Sequence, residues 1–113
     1  MLNVIDLTKD YVDLTSSIKS LEFQIASLRV QNIKYIKIIH GFGSSSSKSG
    51  QLRSKVHKIL RDYQTEGKLT LFIKGENFSA FDLQTQYFID LCSDAGNDED
   101  YNKTNKAVSF IAL

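Results

Sequence analysis

YIKIIHGFGSSSSKSGQLRSKVHKIL, residues 35 to 60, is the stretch whose reading decides the fold. Tyr35, Ile36, Ile38 and Ile39 form a β-branched and aromatic run that suits a buried strand. The run stops at His40-Gly41, and from there to Gln51 only Phe42 is apolar enough to bury. Leu52, Val56, Ile59 or Leu60, and Tyr63 then recur at spacings of three and four, which predicts an amphipathic helix from about Gln51 to Gln64. The first N–H groups of such a helix lack intrahelical partners and carry the positive end of its dipole. A Gly/Ser loop feeding that terminus from a strand is a candidate anion site.

Upstream, Leu2, Val4, Ile5 and Leu7 suit a first strand, with Asp6 inside it where aspartate is depleted. Asp6 must face solvent, cap the following turn or do chemistry. Asp10 is the expected cap of the next helix, with Asp13 favouring its positive end. Leu14, Ile18, Leu21, Ile25 and Leu28 predict that helix to about Val30. Downstream, Gly67 ends the second helix and Leu69 to Lys74 reads as a third strand. Asp82 caps a short helix from Leu83 to Cys92, with Leu83, Tyr87 and Leu91 on one side. Ser93 to Asn102 reads as an acidic loop and Ala107 to Leu113 as a last strand. The order β-α-β-α-β-(short α)-β implies an α/β two-layer sandwich: a four-stranded mixed sheet with two main helices on one face and the second face free to stay uncovered.

At 113 residues the chain reads as one domain, 1–113, and its 42% hydrophobic and 24% charged content is ordinary for a globular protein. No apolar run approaches the ~20 residues of a membrane span, and the first residues do not read as a secretory signal. A single cysteine, Cys92, cannot form an intramolecular disulfide, so a reducing, cytoplasmic setting is expected. The net charge of +1 hides an asymmetry. Between Phe23 and Arg61 stand Arg29, Lys34, Lys37, Lys48, Arg53, Lys55, Lys58 and Arg61 with no acid. Between Phe81 and Asn102 stand Asp82, Asp90, Asp94, Asp98, Glu99 and Asp100 with no base. Segregation of this kind bears on partners rather than on fold.

His40 closes a strand and opens a glycine loop; it either holds a turn or moves a proton. Gly41, Gly43, Ser44, Lys48 and Gly50 could cradle a backbone phosphate, with Arg53, Lys55 and Lys58 extending the basic face. The near match to a nucleotide-binding loop, GSSSSKS, lacks the glycine before Lys48, so nucleotide hydrolysis is not expected. His57 reads as ordinary helix surface and Cys92 as packed. Asp94, Asp98, Glu99 and Asp100 lack the spacing and final glutamate of a calcium loop, and two histidines with one cysteine make a transition-metal site unlooked for.

With Ile5-Asp6-Leu7-Thr8 before a long helix, Ile38-Ile39-His40-Gly41-Phe42-Gly43 leading to Leu52-Arg53, and Asp100 to Asn105 before an apolar strand, nearly the whole chain resembles the Smr (small MutS-related) domain family, in its longer branch. The resemblance implies the fold of the C-terminal domain of a bacterial translation initiation factor and a role on DNA or RNA. Several members of the family are endonucleases that nick DNA or cut messenger RNA at stalled ribosomes. Carried over, the catalytic residues would be Asp6, His40 and Arg53, the last stabilising phosphate charge. Active members tend to carry His where this chain has Thr8, which implies weakened or lost cleavage. Where relatives often have Asn-x-Gly, this chain has Asn105-Lys106-Ala107. The reading is a nucleic-acid-binding domain with sequence-tolerant backbone contacts and no resident cofactor; a divalent metal requirement and the oligomeric state stay open. The alternative is a protein-interaction or ribosome-associated adaptor whose basic face meets an acidic partner.

Overall fold

A computed structural model describes residues 1–9 and 13–113. Its elements are β1 (Asn3–Asp6), α1 (Leu14–Val30), β2 (Tyr35–Ile39), α2 (Lys48–Thr65), β3 (Leu71–Lys74), α3 (Leu83–Leu91) and β4 (Val108–Ala112), with short 3-10 turns at Gly75–Asn77 and Ser93–Asn97. The sheet order is β1-β2-β4-β3. β1 and β2 are parallel, with Ile5 opposite Ile38, and β4 lies antiparallel between β2 and β3, with Ser109 opposite Ile38 and Phe110 opposite Ile73.

Side chains alternate across a strand, so β2 sends Ile36 and Ile38 to one face and Tyr35, Lys37 and Ile39 to the other. On the first face Ile5, Ile36, Ile38 and Ile111 bury against Leu21 and Ile25 of α1 and Leu52, Val56 and Leu60 of α2. This is the two-layer α/β sandwich that the periodicities imply. The second face is not left open, as four strands alone would allow. Phe78, Phe88, Cys92 and Ala95, from α3 and the turns around it, pack on Leu71, Ile73, Val108 and Phe110. Phe78 stacks on Phe110 with ring centroids 3.9 Å apart. The stripe Leu83, Tyr87 and Leu91 of α3 faces outward, because Thr85, Phe88 and Cys92 take the inner side.

Each helix starts on a side-chain cap that satisfies an orphan amide. Asp13 accepts from the Ser16 amide at 2.8 Å at the head of α1, whereas Asp10, the expected cap, lies outside the described residues. Ser47 accepts from the Gly50 amide at 3.0 Å, so α2 begins about one turn earlier than the apolar stripe indicates. Asp82 accepts from the Thr85 amide at 2.8 Å, as expected of it. Gly67, at φ +77°, takes α2 into its terminating turn, with Lys68 N–H on the Tyr63 carbonyl. Among the described residues no helix is long and apolar enough to cross a membrane.

Candidate functional site

Three loops meet at the end of the sheet where β1 and β2 finish and β4 begins. Leu7 N–H bonds the Ile39 carbonyl at 2.8 Å, tying the first loop to the second. His40 and Gly41 both donate their amides to the Ala107 carbonyl at 3.0 Å, tying the second to the third. Gly41 adopts φ +76°, a left-handed backbone that a side chain would strain, and a Cβ there would press on the Ser49 hydroxyl. The serine run is a capping turn rather than a loose loop. Ser44 carbonyl accepts both the amide and the hydroxyl of Ser47, and a Cβ on Gly50 would fall 2.0 Å from that same carbonyl oxygen. Phe42, between the two glycines, is left exposed.

Between these loops and the head of α2 lies a hollow of about 140 Å³ lined by Thr8, His40, Lys48, Ser49 and Leu52. Thr8, Lys48 and Ser49 are exposed at its walls, and His40 forms a floor that solvent does not reach. A hollow at the carboxyl ends of parallel strands, beside a helix N-terminus, is where α/β sheets bind ligands.

His40 is fully buried and both of its ring nitrogens are engaged. Nδ1–H must donate to the Gly41 carbonyl, 2.7 Å away, since that oxygen can only accept. Nε2 is then an acceptor and takes the Ser109 hydroxyl proton at 2.9 Å. Ser109 has one proton, so His57 Nε2–H donates to the Ser109 oxygen at 3.2 Å. The bonding pattern thereby assigns tautomers to both neutral rings. Burial, joined by the nearby Arg53 charge, lowers His40 to about 4. Burial again, with Arg53 and His40 itself, lowers His57 to about 3. His57 is thus not helix surface but a core residue, its ring edge-on to His40 at 5.3 Å and tilted against Phe72 at 5.5 Å. A neutral imidazole with both nitrogens committed has neither a lone pair nor a proton to offer a substrate.

Asp6, His40 and Arg53 do not converge on one cleft. Asp6 caps its own turn, accepting from the Thr8 amide at 2.8 Å and from the Thr8 hydroxyl. Partial burial pushes the Asp6 carboxyl up, but the two Thr8 bonds and Lys9 outweigh it, so its pKa lies below the ordinary value. It lines a separate hollow with Lys9, Ser16, Ser20 and Gln24 against α1. Arg53 sits beside the histidines but braces two loops, with Nε–H on the Lys106 carbonyl at 3.0 Å and Nη2 on the Glu76 carboxylate.

The basic surplus divides in the same way. Lys37 lies buried on the opposite face, bound to Asp98 at 2.9 Å and Asp100 at 2.6 Å, so the acidic loop is not wholly a solvated face. Arg29 holds the Lys68 carbonyl at 2.8 Å, and Arg61 lines a hollow with Phe72 and Lys74. Lys48, Lys55 and Lys58 do share one flank of α2. Lys55 and Lys58 line a hollow with Leu14, Ser45, Gln51 and Ser54, one step along the helix from Lys48. Of the sequence candidates, then, Gly41, Gly43, Ser44 and Gly50 build the loop, while Lys48, Lys55 and Lys58 face outward from it. Sequence reading passed over Thr8 as a wall of the hollow and Lys9 as a cation beside it; the parallel pairing of β1 with β2 is what places them there.

Asn105, before the last strand, donates to Asp100 at 2.8 Å and accepts from the Ala107 amide at 2.9 Å, linking the Lys37 network to the loop that carries His40. Among the described residues no group of three or more His, Cys, Asp or Glu is placed to hold a metal ion. No family model, curated protein or solved structure matches this chain.

Proposed function

We propose that the chain is a Smr-like nucleic-acid-binding domain that grips the phosphate backbone of DNA or RNA and does not use His40 to cut it. The observation that carries this reading is the lysine flank of α2. Lys48, Lys55 and Lys58 rise from the hollow at the helix head along one side, spanning about 15 Å at 1.5 Å per residue. That length covers roughly four phosphates of one strand at 3.4 Å each. Among the described residues, Asp13 near Lys48 and Asp62 beside Lys58 are carboxylates that temper the flank. The Ser49 hydroxyl in the first turn of α2 adds a donor suited to a phosphate and indifferent to base sequence. Cleavage is not supported, because Asp6, His40 and Arg53 are each committed to holding loops together.

Fluorescence anisotropy with unrelated duplex DNA, RNA and tRNA tests the reading. Binding should be sequence-tolerant and fall several-fold or more between about 50 and about 200 mM salt. Lys48→Ala/Lys55→Ala/Lys58→Ala should weaken it and flatten the log–log salt slope by up to about 2.7, at about 0.9 per lost duplex contact. Affinity that ignores salt would sink the proposal, and absence of binding to all three probes would favour the adaptor alternative. Supercoiled DNA and RNA should survive incubation with or without magnesium. Cleavage abolished by Asp6→Asn, with the fold intact, would restore the endonuclease version.

A further inference from the structure

Phe42 is the apolar residue of the loop that feeds α2, and it is 54% exposed. Burying a phenylalanine is favourable, and the hollow beside this loop has Leu52 among its walls, yet the ring stays outside. The backbone on both sides of it is fixed. His40 and Gly41 share the Ala107 carbonyl, and Gly41 holds its left-handed turn at φ +76°. Gly43 passes so close to the cap of α2 that a Cβ there would fall 2.5 Å from the Ser47 hydroxyl. The ring is thus presented from a rigid mount, which leaves little ordering cost for a ligand that stacks on it.

The same two glycines set the ring beside the cations of α2. Gly41 lies against Ser49 and Gly43 against Ser47, the two neighbours of Lys48 in the first turn of the helix. Lys55 and Lys58 continue the flank from there. Phe23, Phe81 and Tyr87 are also exposed, but they belong to α1 and to the start and body of α3. An aromatic face at the head of a basic track is the combination that holds single-stranded nucleic acid. Bases inside a duplex spend their faces on each other and show only their edges, which are read by hydrogen bonds that a phenyl ring cannot make. The ring calls for a base whose face is open.

We propose that Phe42 stacks on an unpaired nucleobase of the strand whose phosphates the lysine flank of α2 holds. The substrate class is then nucleic acid with unpaired bases, of either sugar, rather than intact duplex. This inference rests on the nucleic-acid reading above and narrows it. Stacking accepts any base, because each has a π face, so it leaves the binding sequence-tolerant.

The chain has no tryptophan, so Phe42→Trp supplies a single indole reporter that keeps an aromatic face. Its emission should be quenched by single-stranded DNA or single-stranded RNA, and much less by a blunt duplex of the same length. Phe42→Leu should weaken single-strand binding at least about fivefold and duplex binding less than about twofold, with Phe42→Trp near the parent. The melting temperature should not move, since the side chain is exposed. Comparing the DNA and RNA arms shows which sugar the site prefers. Unquenched emission, or equal effects of Phe42→Leu on single strands and duplex, overturns the stacking while salt-dependent binding through the lysines stands. Absence of binding to every probe overturns both readings. Phosphatidylserine vesicles are the control for a lipid occupant: binding to them that needs Phe42, with none to single strands, also overturns the proposal.

Discussion

Acidification from pH 6.5 to pH 4 is expected to destabilise the fold by about 3 kcal/mol for each of its two buried histidines, roughly 6 kcal/mol together. Both rings are neutral when folded, at about 4 for His40 and about 3 for His57, against 6.5 when exposed in the unfolded chain. Above pH 6.5 neither state binds the protons and the stability is fully present. Below it the unfolded chain takes up two protons that the folded chain refuses, so stability falls by about 1.4 kcal/mol per pH unit per histidine. The loss from His40 ends near its folded value of about 4, and that from His57 continues to about 3. A domain of ordinary stability, about 5–15 kcal/mol, loses from roughly two-fifths to all of it in this window. Urea melts at intervals from pH 7 to pH 4 measure the slope. His57→Phe, which keeps an aromatic ring against Phe72, should halve it while costing about 1 kcal/mol at neutral pH through the lost bond to Ser109. Stability unchanged between pH 7 and pH 5 would show that the histidines are open to solvent, and would return His40 to the list of candidate acids.

Much of the sheet and helix pattern is legible in the residues because it depends on one chain segment at a time. The alternation in YIKII and the four-three spacing from Leu14 to Leu28 place β2 and α1 within a residue or two of where they lie. The polar interior is legible only after the strands are paired. Ser109 sits inside an otherwise apolar run and Lys37 inside another, and each signals a buried polar group in need of a partner. Those partners are His40 and His57 for Ser109, and Asp98 and Asp100 for Lys37, from 52 to 69 positions away. No local spacing connects residues so far apart. His57 illustrates the difficulty: it is next to Val56 on a stripe that already looks complete, and only the approach of β4 turns that extra position inward. The head of α2 was obscured for a local reason, since Gly50 reads as loop until Ser47 is seen to cap its amide. The lining of the hollow at the end of β1 and β2 is not legible from local spacing, because Thr8 and Lys48 come from opposite sides of it.

Lys37→Met is expected to destabilise the protein by about 3–5 kcal/mol, although lysine-to-methionine on a basic surface would change almost nothing. The difference follows from where the ammonium lies. Its side chain is 5% exposed, and those of Asp98 and Asp100 are 12% and 11%, so removing the lysine leaves two adjacent carboxylates facing an apolar sheet without a counter-charge. Burial alone would lower the lysine's pKa, but its bonds to Asp100 and Asp98 prevail and raise it; burial likewise pushes Asp100 up, and Lys37 and Asn105 more than reverse that. Since the Asp100 pKa lies below the ordinary carboxylate value of 3.8, its part of the ion pair persists above that pH and is lost only as the pH falls through the folded value. Asp100 therefore contributes little to the acid loss between pH 6.5 and 4, which separates its signature from that of the histidines. Lys37→Met/Asp98→Asn/Asp100→Asn should recover most of the stability, because neutral groups no longer need the counter-charge. A single Lys37→Met within about 1 kcal/mol of the parent in urea melts would mean that the acidic loop does not close over the sheet. The triple variant also tests whether Lys37 takes any part in the proposed nucleic-acid binding. It removes one cation from the chain but none from the outward flank of α2, so its affinity for duplex DNA and its salt slope should match the parent, whereas loss of Lys55 or Lys58 should change both.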